Sequence, residues 1–339
     1  MGARGRWLAL ALGLLFLPAP PLGSGPAQAD GQRNNPVGIN LVRWTELQYV
    51  RAAGQLVNSN GGDWGYVTLV LIDDDRQDPA RVQRLLDECA RDHLTPIIRV
   101  ATRFNLERGI WSRPYWNDPY YWRDLFDSLH WPTTSRYVVI GNEPNLGREW
   151  GGTVDPAGYA RYLGKWLDVY ADDSRYHIFN GALDASNDTL MPDRMDEFEY
   201  IDAMREAEPA IFDRLQGWAS NPYHFWWGEK ETRFTYRAYE AELEAIGREL
   251  PVVIMEYHAF EIDDPREVAE YYEVAFNYWL ADPRVLAATP LFWNPESNSF
   301  WMYKVNRDGS IFDPSPTYQL IKGFPKVAGS PDYRPTSRQ

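Results

Sequence analysis

The chain has 339 residues, 44% apolar and 24% charged, with 25 glycines and 25 prolines, which excludes collagen-like and disordered chains. A formal charge of −14 without clustered Lys/Arg excludes a nucleic-acid partner, because neutralising phosphates requires such clusters. Lysine occurs only at Lys165, Lys230, Lys304, Lys322 and Lys326, leaving few candidates for Schiff-base chemistry.

In chain order, Arg4 and Arg6 precede an apolar stretch, Trp7 to Leu17, too short to span a bilayer, and Ala27-Gln28-Ala29 supplies a small-residue cleavage site. This pattern predicts a secretory signal peptide over 1–29, hence an extracellular or periplasmic protein, and no later stretch predicts a membrane span. Cys89 is the single cysteine, so the fold must rest on its core rather than on disulfides. Cys89 itself is expected to be buried helix packing.

Beyond residue 30, short apolar runs alternate with helical patterns. The runs are 37–40 (VGIN), 66–72 (YVTLVLI), 96–100 (PIIRV), 137–141 (YVVIG), 176–180 (YHIFN), 215–220 (LQGWAS), 252–255 (VVIM) and 289–293 (TPLFW). Runs of this kind suit parallel strands covered on both faces. Asp78-Pro79, Asp118-Pro119, Asp155-Pro156 and Asp264-Pro265 each read as an N-cap acid before a proline at the first helical position. Eight strands interleaved with helices predict an α/β fold, a single-domain (β/α)8 TIM barrel over 30–323. A two-domain binding-protein topology lacks the crossing linker it needs. Residues 324–339 are Pro-rich and polar and are expected to form a loosely attached tail.

In such a barrel, reactive groups sit where strands end. Run four ends in Gly141-Asn142-Glu143-Pro144-Asn145 and run seven in Met255-Glu256-Tyr257-His258. Each places a carboxylate directly after an apolar strand, and strands four and seven face one another across an eight-strand ring. Glycoside hydrolysis needs two such carboxyls, one to protonate the leaving oxygen and one on the other face of the sugar. Separation of about 5–5.5 Å makes the second a nucleophile and the reaction retaining.

Asn142-Glu143-Pro144 with Glu256 resembles the clan A glycoside hydrolases, the barrel superfamily that includes family 5 and family 39 enzymes. The resemblance implies that Glu143 is the acid/base, that Asn142 holds the sugar 2-hydroxyl and that Glu256 is the nucleophile. Gly38-Ile39-Asn40 is similar to the family 5 strand-one motif, which places Asn40 in the substrate site. Trp293 matches the tryptophan that floors the sugar, and Asn221-Pro222-Tyr223-His224 matches the aromatic and imidazole beside the nucleophile. The chain departs from family 5 at the ends of strands two and three, with Ile72-Asp73-Asp74-Asp75 and Ala101-Thr102-Arg103, so the likeness is to the clan.

Physical reasoning adds that an ionised nucleophile wants donors, available from Tyr223, His224 or Arg99, whereas a protonated acid wants an apolar surrounding and a neighbouring negative charge. The aspartates 73–75 read as solvated or capping acids, with one sugar contact among them allowed, and Asp184 as a turn acid. The chain carries 15 Trp, 21 Tyr and 14 Phe. Those after strand three (Trp111, Tyr115, Trp116, Tyr120, Tyr121, Trp122), strand six (Phe225, Trp226, Trp227) and strand eight (Phe300, Trp301, Tyr303) read half as loop mini-cores and half as walls of a sugar cleft, with Trp226 in the substrate site. A metal-dependent hydrolase lacks its His-x-His, an aldolase its strand-end lysine, and a phosphate-binding barrel its Gly-rich loop. No cofactor or metal is expected. The expected activity is retaining hydrolysis of β-linked poly- or oligosaccharide, the alternatives being a transglycosylase or a non-catalytic carbohydrate-binding barrel.

Overall fold

The computed structural model describes residues 34–42, 46–185, 193–225, 230–259, 262–292 and 302–335. The predicted signal peptide, Trp226 and Trp293 lie outside the described residues.

The fold is α/β with parallel strands. β1 (Gly38–Asn40), β2 (Tyr66–Ile72), β3 (Thr95–Ala101), β4 (Arg136–Ile140) and β5 (Tyr176–Phe179) form one parallel sheet in that order. β6 (Trp218–Ser220), β7 (Val252–Ile254) and β8 (Val285–Ala288) form a second parallel sheet. At one seam Val37 bridges Ala288 and Asn40 bridges Leu291; at the other Phe179 bridges Gly217, all parallel. A Cβ at Gly217 would lie 2.1 Å from the Phe179 ring, so glycine permits this approach.

Between strands lie α1 (Leu47–Val57), α2 (Pro79–Arg91), α3 (Asp118–Ser128), α4 (Pro156–Val169), α5 (Glu197–Ala207), α6 (Ala238–Ile246), α7 (Pro265–Ala281) and α8 (Pro316–Gly323). Asp78, Asp155 and Asp264 cap as the sequence suggests, accepting from the backbone N–H of Arg81, Gly158 and Arg266. Asp118 does not. It is the first residue of α3, buried, and its carboxylate takes Arg76 Nη1 at 2.7 Å and the Tyr115 N–H at 2.7 Å. An arginine partner outcompetes the helix terminus for this carboxylate.

Strand alternation sorts the core into two layers. Val67, Leu69, Leu71, Ile98, Val100, Val138 and Ile140 pack against the helices. Tyr66, Ile97, Tyr137, Val139, Val253 and Met255 pack together on the opposite face. Arg99, two residues after Ile97, shares that inner parity. Cys89 is buried in the outer layer, as expected of helix packing.

Two expectations need correction. The eighth strand is 285–288, four residues earlier than the TPLFW run. Residues 289–292 carry on from it through single contacts, the Thr289 N–H donating to the Ile254 carbonyl and Leu291 bridging Asn40. Residues 324–335 do not hang loose: the Ser330 N–H donates to Asn34 Oδ1 at 2.8 Å, Ser135 Oγ to the Tyr333 carbonyl at 2.7 Å, and the Tyr333 ring packs against the inner layer. Among the described residues, no helix is long and apolar enough to cross a membrane.

Candidate active site

The backbone leaving β4 turns abruptly. Gly141 has φ +83° and Glu143 φ +38°, a left-handed conformation that is uncommon for a residue with a side chain. Hydrogen bonds on both sides hold it, from Glu143 N–H to the Ala182 carbonyl at 2.7 Å and from Leu146 N–H to the Glu143 carbonyl at 2.8 Å. The consequence is a carboxyl that is buried and meets few donors: Asn221 Nδ2 reaches Oε1 at 3.1 Å, and Arg148 Nη2 stands 4.0 Å from Oε2. Burial pushes this carboxyl well above the ordinary range, and the negative charges of Asp184, Glu256 and Glu149 push it further.

Glu256, just beyond β7, is equally buried but is met by strong donors. Arg99 Nη1 donates to Oε1 at 2.6 Å and the Tyr223 hydroxyl to Oε2 at 2.6 Å. The same Arg99 nitrogen donates to Asn142 Oδ1 at 2.9 Å, which fixes the asparagine beside Glu256. The two bonds to Glu256 meet its two carboxyl oxygens separately, one from a guanidinium and one from a phenol. The charges of Glu143 and Glu256 are felt together at Tyr223, whose hydroxyl burial and these carboxylates hold protonated.

A cavity of about 430 Å³ opens over Arg99, Asn142 and Glu256. Trp111 and Trp150 wall it, and Asp73 and Glu149 add carboxyls. Glu149, six residues after Glu143, is pushed up to about 7, chiefly by burial, with Glu256 adding to the rise and Arg99 and Arg148 opposing it. The sequence reading missed this third acid and Arg148, although both lie in the loop after β4 where reactive groups were sought. It also took Asp184 for a turn acid. Asp184 is buried, bridges Asn221, and pairs with Arg194 at 3.3 Å. Of the aspartates 73–75, Asp75 accepts from the Ile72 N–H at 2.8 Å and pairs with Arg81, Asp74 pairs with Arg103, and Asp73 lines the cavity.

Two predicted substrate contacts are placed elsewhere. Asn40 is fully buried, its Nδ2 donating to the Met255 carbonyl at 2.9 Å and its Oδ1 accepting from the Val42 N–H at 2.9 Å. It fastens β1 to the end of β7 and is not among the residues that line the cavity. His224 is also buried, its ring 4.6 Å from that of Tyr271 and its N–H bonded to the His258 carbonyl, and it does not line the cavity. His258 is held neutral by burial, its pKa lowered to about 4. Among the described residues, no group of three or more His, Cys, Asp or Glu is arranged to hold a metal ion.

No protein-family model matches the chain, and no curated protein sequence matches it. Solved structures do. A family 128 (subgroup II) endo-β-1,3-glucanase from Sorangium cellulosum superposes with a TM-score of 0.55 at 14% identity, over 85% of this chain and 97% of the other. A family 128 endo-β-1,3-glucanase from Pseudomonas viridiflava gives 0.55 at 11% identity, over 87% and 98%. A family 39 β-xylosidase from Caulobacter crescentus gives 0.59 at 15% identity, over 87% and 72%. The chain shares its fold with these glycoside hydrolases.

Proposed function

We propose that the two sheets close into a (β/α)8 barrel and that the protein is an exported retaining glycoside hydrolase acting on a β-linked poly- or oligosaccharide. The observation that carries this reading is the unequal treatment of two buried glutamates, Glu256 in the cavity lining and Glu143 between two residues that line it, Asn142 and Pro144. Glu256 receives a guanidinium and a phenol, as a nucleophile requires. Glu143 receives one amide and is surrounded by negative charge, as an acid that must keep its proton requires. The neighbours named above, an endo-β-1,3-glucanase and a β-xylosidase, both act on β-linkages, which supports the β assignment.

In this mechanism Glu256 attacks the anomeric carbon while Glu143 delivers its proton to the departing oxygen, leaving a glycosyl ester on Glu256 and a carboxylate at Glu143. Esterification removes the Glu256 charge, so Glu143 loses one source of its raised proton affinity and is then set to take a proton from water. Water adds to the anomeric carbon, the ester bond breaks, and both carboxyls return to their first states. Asn142, oriented by Arg99, is placed to hold the 2-hydroxyl.

The test is a panel of β-linked aryl glycosides and polysaccharides on wild type and Glu256→Ala, with azide added to the variant. Azide is expected to restore turnover and give an α-configured glycosyl azide. Full turnover by both Glu256→Ala and Glu143→Gln would sink the assignment. Product analysis separates hydrolysis from transglycosylation, in which a second sugar replaces water in the last step.

A further inference from the structure

Among the described residues, six aromatic or large apolar side chains between Phe104 and Tyr121 are exposed, and only three others elsewhere. Four are rings within seven residues at the entry to α3: Tyr115 is 74% exposed, Trp116 53%, Tyr120 47% and Tyr121 55%. The core does not explain them, since water covers about half or more of each, and a cluster of this kind marks a contact surface. The inner side of the same segment is the cavity wall, because Trp111, Pro114, Asp118 and Trp122 line the cavity. Asp118 joins the two sides, its buried carboxylate holding the Tyr115 backbone and Arg76.

Cations hold three of the four rings. Lys165 Nζ donates to the Tyr120 hydroxyl at 2.9 Å, lying 4.7 Å from that ring centroid and 5.9 Å from Trp116, and the Arg76 guanidinium lies 5.6 Å from the Tyr121 centroid. Rings fixed before binding lose little freedom when a ligand arrives. Flat faces interleaved with ammonium, guanidinium and hydroxyl groups match a pyranose, which offers apolar C–H faces edged by hydroxyls. The lysine among these rings fits a second protein copy less well, because lysine is depleted at the core of protein interfaces, whereas its ammonium can donate to sugar hydroxyls.

We infer that Tyr115, Trp116, Tyr120 and Tyr121 form a glycan-binding platform, on which an extended pyranose chain rests after leaving the cavity across the shared wall. The inference deepens the proposed function and rests on its carbohydrate substrate. The platform gives long chains a contact that short glycosides cannot reach.

The test compares wild type with the triple substitution Tyr115→Ala, Trp116→Ala, Tyr120→Ala, and with Tyr115→Phe, Tyr120→Phe, which keeps the rings. Each is measured on an aryl glycoside and on soluble β-1,3-glucan and β-1,4-xylan. The ratio of polymer to aryl-glycoside kcat/KM is expected to fall about tenfold in the triple variant, through KM, and to be preserved in the Phe variant. Retention of the same proteins, carrying Glu256→Gln, in gels containing either polymer or chitosan reads binding without turnover. Retention lost in the triple variant supports the platform even where no polymer is cleaved, in which case the hydrolase reading falls alone. Equal ratios and equal retention, or no retention of wild type by any polymer, overturns it. So does a wild-type dimer in light scattering that the triple variant abolishes, which would assign the surface to a second copy. Circular dichroism confirms that the variants are folded.

Discussion

Glu143 and Glu256 are the same residue type, buried to the same degree at two strand ends, yet the protein surrounds them with opposite chemistry. At the β7 end, Arg99 and Tyr223 meet both carboxylate oxygens of Glu256. At the β4 end, Asn221 is the amide donor to Glu143, Arg148 stands off at 4.0 Å, and the charges of Asp184, Glu256 and Glu149 gather around it. Burial alone raises any carboxyl; donors decide whether the charged form is nevertheless sustained. The proposed division of labour therefore rests on the partners rather than on the glutamates.

The widest test removes one side of the contrast altogether. Glu256→Ala is expected to lower kcat by ~10⁴-fold or more, measured on an activated aryl glycoside, because no nucleophile remains. Glu143→Gln should cost ~10²–10⁴-fold on substrates with poor leaving groups and far less on activated ones. Its pH profile should lose the alkaline limb. On the proposed mechanism Glu143 acts as an acid only while protonated, so wild-type activity should decline as pH rises through its elevated pKa, and an amide has no such transition. Tyr223→Phe removes one charge-assisted bond from Glu256, an interaction of about 1.5–3 kcal/mol, and should slow turnover by ~10–100-fold. An unchanged rate would erase the distinction between the two environments.

A finer test sits at Asp184. Its negative charge raises the proton affinity of Glu143, and its partner Arg194 would remain as an uncompensated cation in Asp184→Asn. Both changes ease ionisation, so the alkaline limb should move to lower pH by about one unit or less. A merely structural aspartate would change the height of the profile and not its position.

The smallest effect calibrates burial without function. Glu242 is fully buried beneath β6, its oxygens taking Trp218 Nε1 at 2.5 Å and Ser220 Oγ at 3.0 Å, and burial raises its pKa to about 7. The raised value means that the native state keeps a proton the unfolded chain has released. Stability attributable to this group is therefore full below the unfolded glutamate pKa and declines as pH rises towards 7. Glu242→Gln should flatten the dependence of Tm on pH over that window while leaving the activity profile in place.

The sequence carried the strand order and both catalytic candidates, because apolar runs and the acids ending them are local. It misplaced β8, where Leu291, Phe292 and Trp293 look more strand-like than Val285–Ala288, whose pairing with β7 is not visible in its composition. It named Asn40 for its motif, but whether an amide faces a ligand or a carbonyl depends on where β7 ends. Glu149 escaped notice and Asp184 was read as a turn acid because their surroundings come from loops that fold back towards Glu143 and Arg99, a proximity with no fixed spacing along the chain. Arg99 was legible as a partner for an acid, and the inner parity of β3 made that so.

The segment after α8 has one more implication. By bonding Ser330 to Asn34 and setting Tyr333 beneath Tyr66 and Tyr137, it stoppers the floor of the strand interior. Clipping the peptide there would admit water to the underside of the very strands that aim Arg99 upward, so damage at the base would be felt as slackness at the mouth.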